Sequence, residues 1–191
     1  MSRPTKQAQA DSDAGLDLQF RVRELEMQLD EMQNLYVSST QLMSALDPLQ
    51  VIEVVKEILF NLVGADGFEI ALHETDGRFA VLAQGEDPGP VRPFDRELWL
   101  QYRDHVVATG ESLFVNLPNM VALIPLIVGS EVVGVLSIFH LLNQKADGLS
   151  ARDVQLLGFL ASHAASALVC ASLFKRHAEP IRDYLQDVRR A

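Results

Sequence analysis

The sequence predicts an α+β fold with an antiparallel sheet. Three observations predict it. Residues 121–142, VALIPLIVGSEVVGVLSIFHLL, are two β-branched apolar runs split by Gly129-Ser130. Strands apolar on both faces sit centrally in a sheet, so this stretch reads as a buried hairpin and not as a membrane span. Residues 67–85, GFEIALHETDGRFAVLAQG, hold two further runs around Asp76-Gly77, a strong hairpin turn signal. Helical periodicity fills the segments before, between and after these hairpins.

Each element follows in chain order. Residues 1–15 are small and polar, and disorder is expected there. From Leu18 a seam alternates spacings of four and three through Val22, Leu25, Leu29, Met32, Tyr36, Ser39, Met43 and Leu46. Such a seam predicts a coiled-coil helix over 16–46. Val22, Leu29, Tyr36 and Met43 take the a positions, and Arg21 at g would pair Glu26 at e across a parallel dimer. The alternative is packing on the chain's own domain, which is expected of the half from Tyr36 onward. Asp47-Pro48 then caps and opens a helix with an apolar face of Leu49, Ile52, Val55, Leu59 and Leu62, ended by Gly64.

After the 67–85 hairpin, residues 85–93 (GEDPGPVRP) read as loop. Asp95 is placed to cap a helix bearing Leu98, Trp99, Tyr102 and Val106, ending at Gly110. Residues 112–117 read as a short strand. Pro125 suggests a bulge in the first strand of the central hairpin. Ser150-x-x-Asp153 resembles a capping box with Asp in the place of Glu or Gln. It opens a helix to about Ala178 with two apolar stripes. One is Leu157, Ala161, Ala164, Leu168 and Ala171. The other is Leu156, Leu160, His163, Ala167, Cys170 and Phe174. So wide a face predicts packing on the sheet and on another helix. Pro180 is expected to start a separate short helix over 179–191.

Charge narrows the functions. The net charge is −10. Nucleic acids and anionic membranes are bound largely by neutralising phosphates, so neither is an expected partner. One cysteine, Cys170, gives no disulfide framework and points to a reducing compartment, the cytoplasm. The polar N-terminal stretch has no apolar segment of the signal-peptide type.

The run from Leu123 to Phe174 resembles the C-terminal half of a GAF domain. It carries apolar-Pro-Leu, a Gly turn, apolar-Gly-Val-Leu, then Asn143, a Ser-x-x-Asp cap and a Leu- and Ala-rich helix. Residues 36–63 resemble that family's opening helices, so the resemblance covers about 36–175. It implies a GAF-like domain over 47–178: a central antiparallel sheet, terminal helices on one face, and a middle segment able to close a pocket on the other. Family members bind cyclic nucleotides, bilins, haem or small metabolites, and often dimerise through the terminal helices. The match to the cyclic-nucleotide signature is partial. Asn143 and Asp153 match, Lys145 is displaced by one, and Leu149 and Val154 replace Phe and Glu. An Asp-to-Lys clamp is therefore disfavoured. Cys170 lies on an apolar helical stripe, which argues against covalent bilin attachment. Only PNMV separates FVNL from ALIPLIV, so the lid found in ligand-binding relatives is expected to be reduced.

No set of side chains composes a catalytic or metal site. The five histidines form no i, i+4 pair, and His163 and Cys170 share a stripe but lie about 10 Å apart along a helix. No nucleophile, base and orienting group can be assembled, so the chain is expected not to be an enzyme. Two readings remain. In the first it is a regulatory signalling module of bacterial-sensor type, a homodimer that binds signalling proteins and needs no cofactor. Its interface would be Leu18, Val22, Leu25, Leu29, Met32 and Tyr36, with Leu157, Ala161, Ala164 and Leu168. In the second it senses a small molecule, with Trp99, Tyr102, Arg96 and Phe114 lining the pocket.

Overall fold

The computed structural model describes residues 6–74, 77–85, 96–117, 119–145 and 148–190. The chain divides into two compact units, Met1–Thr40 and Gln41–Ala191. The first is the body of helix α1, which runs from Lys6 to Ser44. The segment expected to be disordered, 1–15, is thus helical from Lys6 onward. Lys, Gln and Ala favour helix, and extending a helix already nucleated by the heptad segment is far easier than starting one. Leu18, Val22, Leu25, Leu29, Met32 and Tyr36 are all exposed, from 47% at Val22 to 75% at Tyr36. The unit boundary falls inside the 16–46 segment. Beyond it Leu42 is fully buried, while Met43 and Leu46 are exposed.

The second unit is α+β. Helix α2 spans Pro48–Ile58, and the Asp47 carboxylate accepts from the Leu49 N–H at 3.0 Å. A π-helical turn, Leu59–Val63, extends α2 to Gly64, which takes the left-handed conformation at φ 78°. Strands β1 (Ala65–His73) and β2 (Phe79–Gln84) follow, then helix α3 (Arg96–Thr109). Strands β3 (Leu113–Leu117), β4 (Met120–Val128) and β5 (Glu131–Leu141) precede helix α4 (Ala151–Arg190). The turn residue Asp76, the cap Asp95 and most of the loop read at 85–93 lie outside the described residues.

The five strands form one sheet in the order β2-β1-β5-β4-β3, antiparallel throughout. The central hairpin is β4–β5, turning at Gly129-Ser130. Pro125 is not the site of the irregularity. It stays in register opposite Val135, and the register shifts between Leu126 and Ile127. β3 pairs with β4 only as far as Leu123, which leaves β4 an unpaired flank where a residue without an N–H does little harm.

Pleating sorts the residues of β4 and β5 onto two faces. Ile124, Leu126, Leu136 and Ile138 lie fully buried on one, which α4 covers, and α2 packs on α4. Leu123 and Val135 lie on the other, in one cluster with Trp99 and Val106 of α3. Both faces are therefore covered, as the apolar alternation required.

Gly134 of β5 sits opposite Leu72 of β1. A Cβ there would run into the Ala71 carbonyl oxygen and the Leu72 side chain. Gly134→Ala must shift backbone in the middle of the sheet, and is expected to cost about 1–3 kcal/mol in urea unfolding. An unchanged midpoint would show that the two strands can separate freely.

The structure corrects the expected interface on α4. Leu157, Ala161, Ala164 and Leu168 are at most 3% exposed. Their stripe is consumed inside the chain against the sheet and α2, and so is not open to a second copy. Half of the adjacent stripe is buried as well, at Leu156, Leu160 and Ala167. Ala151–His177 is apolar and long enough to cross a membrane, but half of its most apolar window is buried, as in a core helix. No separate helix begins at Pro180, because α4 is continuous to Arg190. A proline deletes one helical hydrogen bond and bends the axis, but helix can continue on both sides of it.

The disfavoured clamp is present. The Lys145 Nζ donates to both carboxylate oxygens of Asp153, at 2.8 and 2.7 Å. Asp153 also accepts from the Ser150 N–H at 2.8 Å and the Ser150 hydroxyl at 2.7 Å, and its own N–H donates to that hydroxyl at 3.2 Å. The capping box therefore forms with Asp in the role of Glu. A 3-10 turn, Asn143–Lys145, carries the displaced lysine back to within reach. The lysine stem crosses Gly64, where a Cβ would approach its Cγ to 3.1 Å. Burial alone would raise the Asp153 pKa. The hydrogen bond from Lys145, those from the Ser150 backbone and hydroxyl, and the lysine's charge outweigh it and hold the carboxyl below its ordinary value.

Candidate functional site

The site is built on the sheet face that α3 covers. Alternation brings Glu69 and Ala71 of β1, Val81 of β2 and Ser137 and Phe139 of β5 to this face. α3 crosses it with Arg96, Trp99 and Arg103 at i, i+3 and i+7, which places all three on one side of the helix. Trp99 is anchored by its indole N–H, which donates to the buried Ser137 hydroxyl at 3.4 Å, and by Phe139, whose ring lies 6.3 Å away.

Between α3, β1, β2 and β5 lies a cleft of about 500 Å³. Its walls are mainly Phe79, Val81, Trp99 and Phe139, and its charged groups among the described residues are Glu69, Arg96 and Arg103. Arg103 is fixed by aromatic faces. Its guanidinium carbon lies 4.3 Å from the centre of the Phe79 ring and 5.2 Å from that of Trp99. It also pairs with Asp104 at 3.0 Å. Glu69 accepts from the Gln84 amide at 3.0 Å. The arrangement offers apolar stacking surface with fixed cationic donors, which suits binding.

A second hollow of about 580 Å³ lies along β3 and the 3-10 turn, lined by Phe114, Leu117, Val121, Leu149 and Lys145 among others. His140 borders both hollows, and its Nδ1 lies 2.7 Å from the Asp66 carboxylate. That bond ties the start of β1 to the end of β5.

The four residues singled out as pocket lining are thus separated. Arg96 and Trp99 line the first cleft. Phe114 lines the second hollow, and Tyr102 packs half-buried against the Trp99 and Val106 cluster. Sequence reasoning missed Arg103, Glu69, Phe79 and Phe139. For Arg103 a signal existed in its helical spacing from Trp99. The other three come together only when β1, β2 and β5 pair. Among the described residues no group of three His, Cys, Asp or Glu side chains could hold a metal ion. Cys170 is exposed.

No protein-family model matches the chain, and no curated protein matches it. Solved structures do. The GAF domain of a potassium sensor histidine kinase from Escherichia coli is 14% identical with a TM-score of 0.56, covering 77% of this chain and 99% of that one. The GAF domain of a phosphoenolpyruvate-protein phosphotransferase from Acinetobacter is 15% identical with a TM-score of 0.56, covering 78% and 98%. The GAF domain/HD domain protein from Geobacter sulfurreducens is 18% identical with a TM-score of 0.53, covering 71% and 99%. The chain has a GAF-like fold.

Proposed function

We propose that this chain is a non-enzymatic signalling module that forms a homodimer through α1 and binds signalling proteins in a reducing, cytoplasmic compartment. The observation that carries the reading is the α1 seam. Six apolar side chains in heptad register, from Leu18 to Tyr36, are exposed on a 39-residue helix. Long helices draw most of their stability from burying an apolar face, and exposed apolar stripes of this kind mark interaction surfaces. A second copy of the same seam is the partner the heptad pattern fits best. The fold neighbours lend support: they include domains of a sensor histidine kinase and of a methyl-accepting chemotaxis protein.

A second reading, a small-molecule sensor, is favoured by the 500 Å³ cleft, whose size is within the range of ligand pockets. Ligand binding would shift populations only if two states of the module bind it with different affinity. Native mass spectrometry of the freshly purified chain tests both readings. A dimer mass is expected. A monomer at all concentrations would overturn the first reading, and a stoichiometric retained small mass would establish the second.

A further inference from the structure

We infer that the α3-face cleft takes a small aromatic carboxylate, with its acid group on Arg103 and Arg96 and its ring against Trp99, Phe79 and Phe139. The inference rests on the sensor reading and gives it a ligand class. The first support is charge. In a chain of net charge −10, the described residues of this cleft present two arginines against one glutamate, and that glutamate is already engaged by Gln84. An electropositive hollow in an acidic protein selects anions and disfavours most of the chain's own surface as occupant.

The second support is pre-organisation. The Arg103 side chain is only 17% exposed and is held over two aromatic rings, so its planar fork loses little freedom on binding. Its acid partner is Asp104, whose side chain is 68% exposed. A single Asp104 oxygen takes the Nε and one terminal nitrogen, at 3.3 and 3.0 Å. That solvent-screened contact leaves guanidinium N–H groups for a ligand carboxylate and is readily exchanged. Arg96 is exposed at the start of α3, two turns before Arg103, and can close on the same anion. The third support is the wall chemistry: three aromatic side chains line a volume that suits one ring and its acid group.

Trp99 is the only tryptophan in the chain, so its fluorescence reports the cleft directly. The full chain would be titrated with benzoate, 4-hydroxybenzoate, the neutral isostere benzamide, and inorganic phosphate. The expected result is a saturable change with at least one of the two acids, and binding of benzamide and phosphate weaker by about tenfold or more. Arg103→Gln should weaken the acid by about tenfold, and Arg96→Gln by less. Asp104→Asn should tighten it. Because Arg103 also packs on aromatic rings, Arg103→Lys, which keeps the charge and loses the fork, serves if the glutamine variant does not fold. Binding of benzamide as tight as that of benzoate, affinity unchanged in both arginine variants, or no saturable change with either acid would overturn the inference. Saturation by benzamide or phosphate alone would do so while leaving the sensor reading intact.

Discussion

Asp153→Ala is expected to cost about 3 kcal/mol of stability. The carboxylate is 3% exposed and accepts four hydrogen bonds, two of them from Lys145. Alanine would strip the ammonium of Lys145, whose side chain is 30% exposed, and the Ser150 N–H of that acceptor at the start of α4. Asp153→Asn keeps the shape and removes the charge, which allows the ionic part to be read from pH. The folded-state pKa of Asp153 lies below its ordinary value of 3.8. A carboxyl lowered in this way stabilises the fold fully above its unfolded pKa, and the contribution fades as pH falls through the folded value. Urea unfolding of the wild type and Asp153→Asn should show a constant gap from neutrality to about pH 5, narrowing below about pH 4. A gap that persists unchanged at about pH 3 would place its origin in shape, not charge.

Leu25→Glu combined with Leu29→Glu is expected to convert a dimer to monomer outright. Each leucine in the seam contributes about 1.5–3 kcal/mol when buried, and the double variant removes two per chain. It also sets four carboxylates against each other in a two-stranded seam, where unpaired charge is strongly disfavoured. Sedimentation velocity over a concentration series reads the outcome, and circular dichroism shows whether α1 loses helix with its partner. The domain itself should keep its unfolding midpoint, because Leu25 and Leu29 are exposed at 63% and 57% and belong to the other unit. A variant that sediments as the wild type does would remove the seam from the interface.

The two predictions draw on parts of the sequence that differ in legibility. The helical periodicity of α1, the two hairpins and the Ser150 cap were readable because each is local: periodicity, turn residues and capping need only a few neighbouring positions. The Lys145–Asp153 clamp was not, because its formation depends on a 3-10 turn that shifts the lysine, and a one-residue displacement looks disqualifying in linear register. The α4 stripe of Leu157, Ala161, Ala164 and Leu168 shows a different limit. Amphipathic spacing establishes that a face is covered, but the same pattern serves a sheet within the chain and a helix of another copy. Of the cleft, Trp99 and Arg96 stood out as residue types near a helix start. Glu69, Phe79 and Phe139 lie on strands distant in sequence, and only the strand order places them together.

The same strand order bears on how the chain reaches its folded state. β4 and β5 are joined by a two-residue turn, so their pairing closes almost no loop. β1 must reach across to β5, joining Leu72 to Gly134 and Ala65 to Leu141 with β2, α3, β3 and β4 looped between them. Loop closure is an entropic cost met before the distant contacts form, and non-local strand pairing is what slows folding. The β4–β5 hairpin is therefore the natural nucleus, and β1 docks onto it later, already paired with β2. Substitutions in the hairpin should slow refolding, whereas substitutions outside the nucleus should chiefly hasten unfolding.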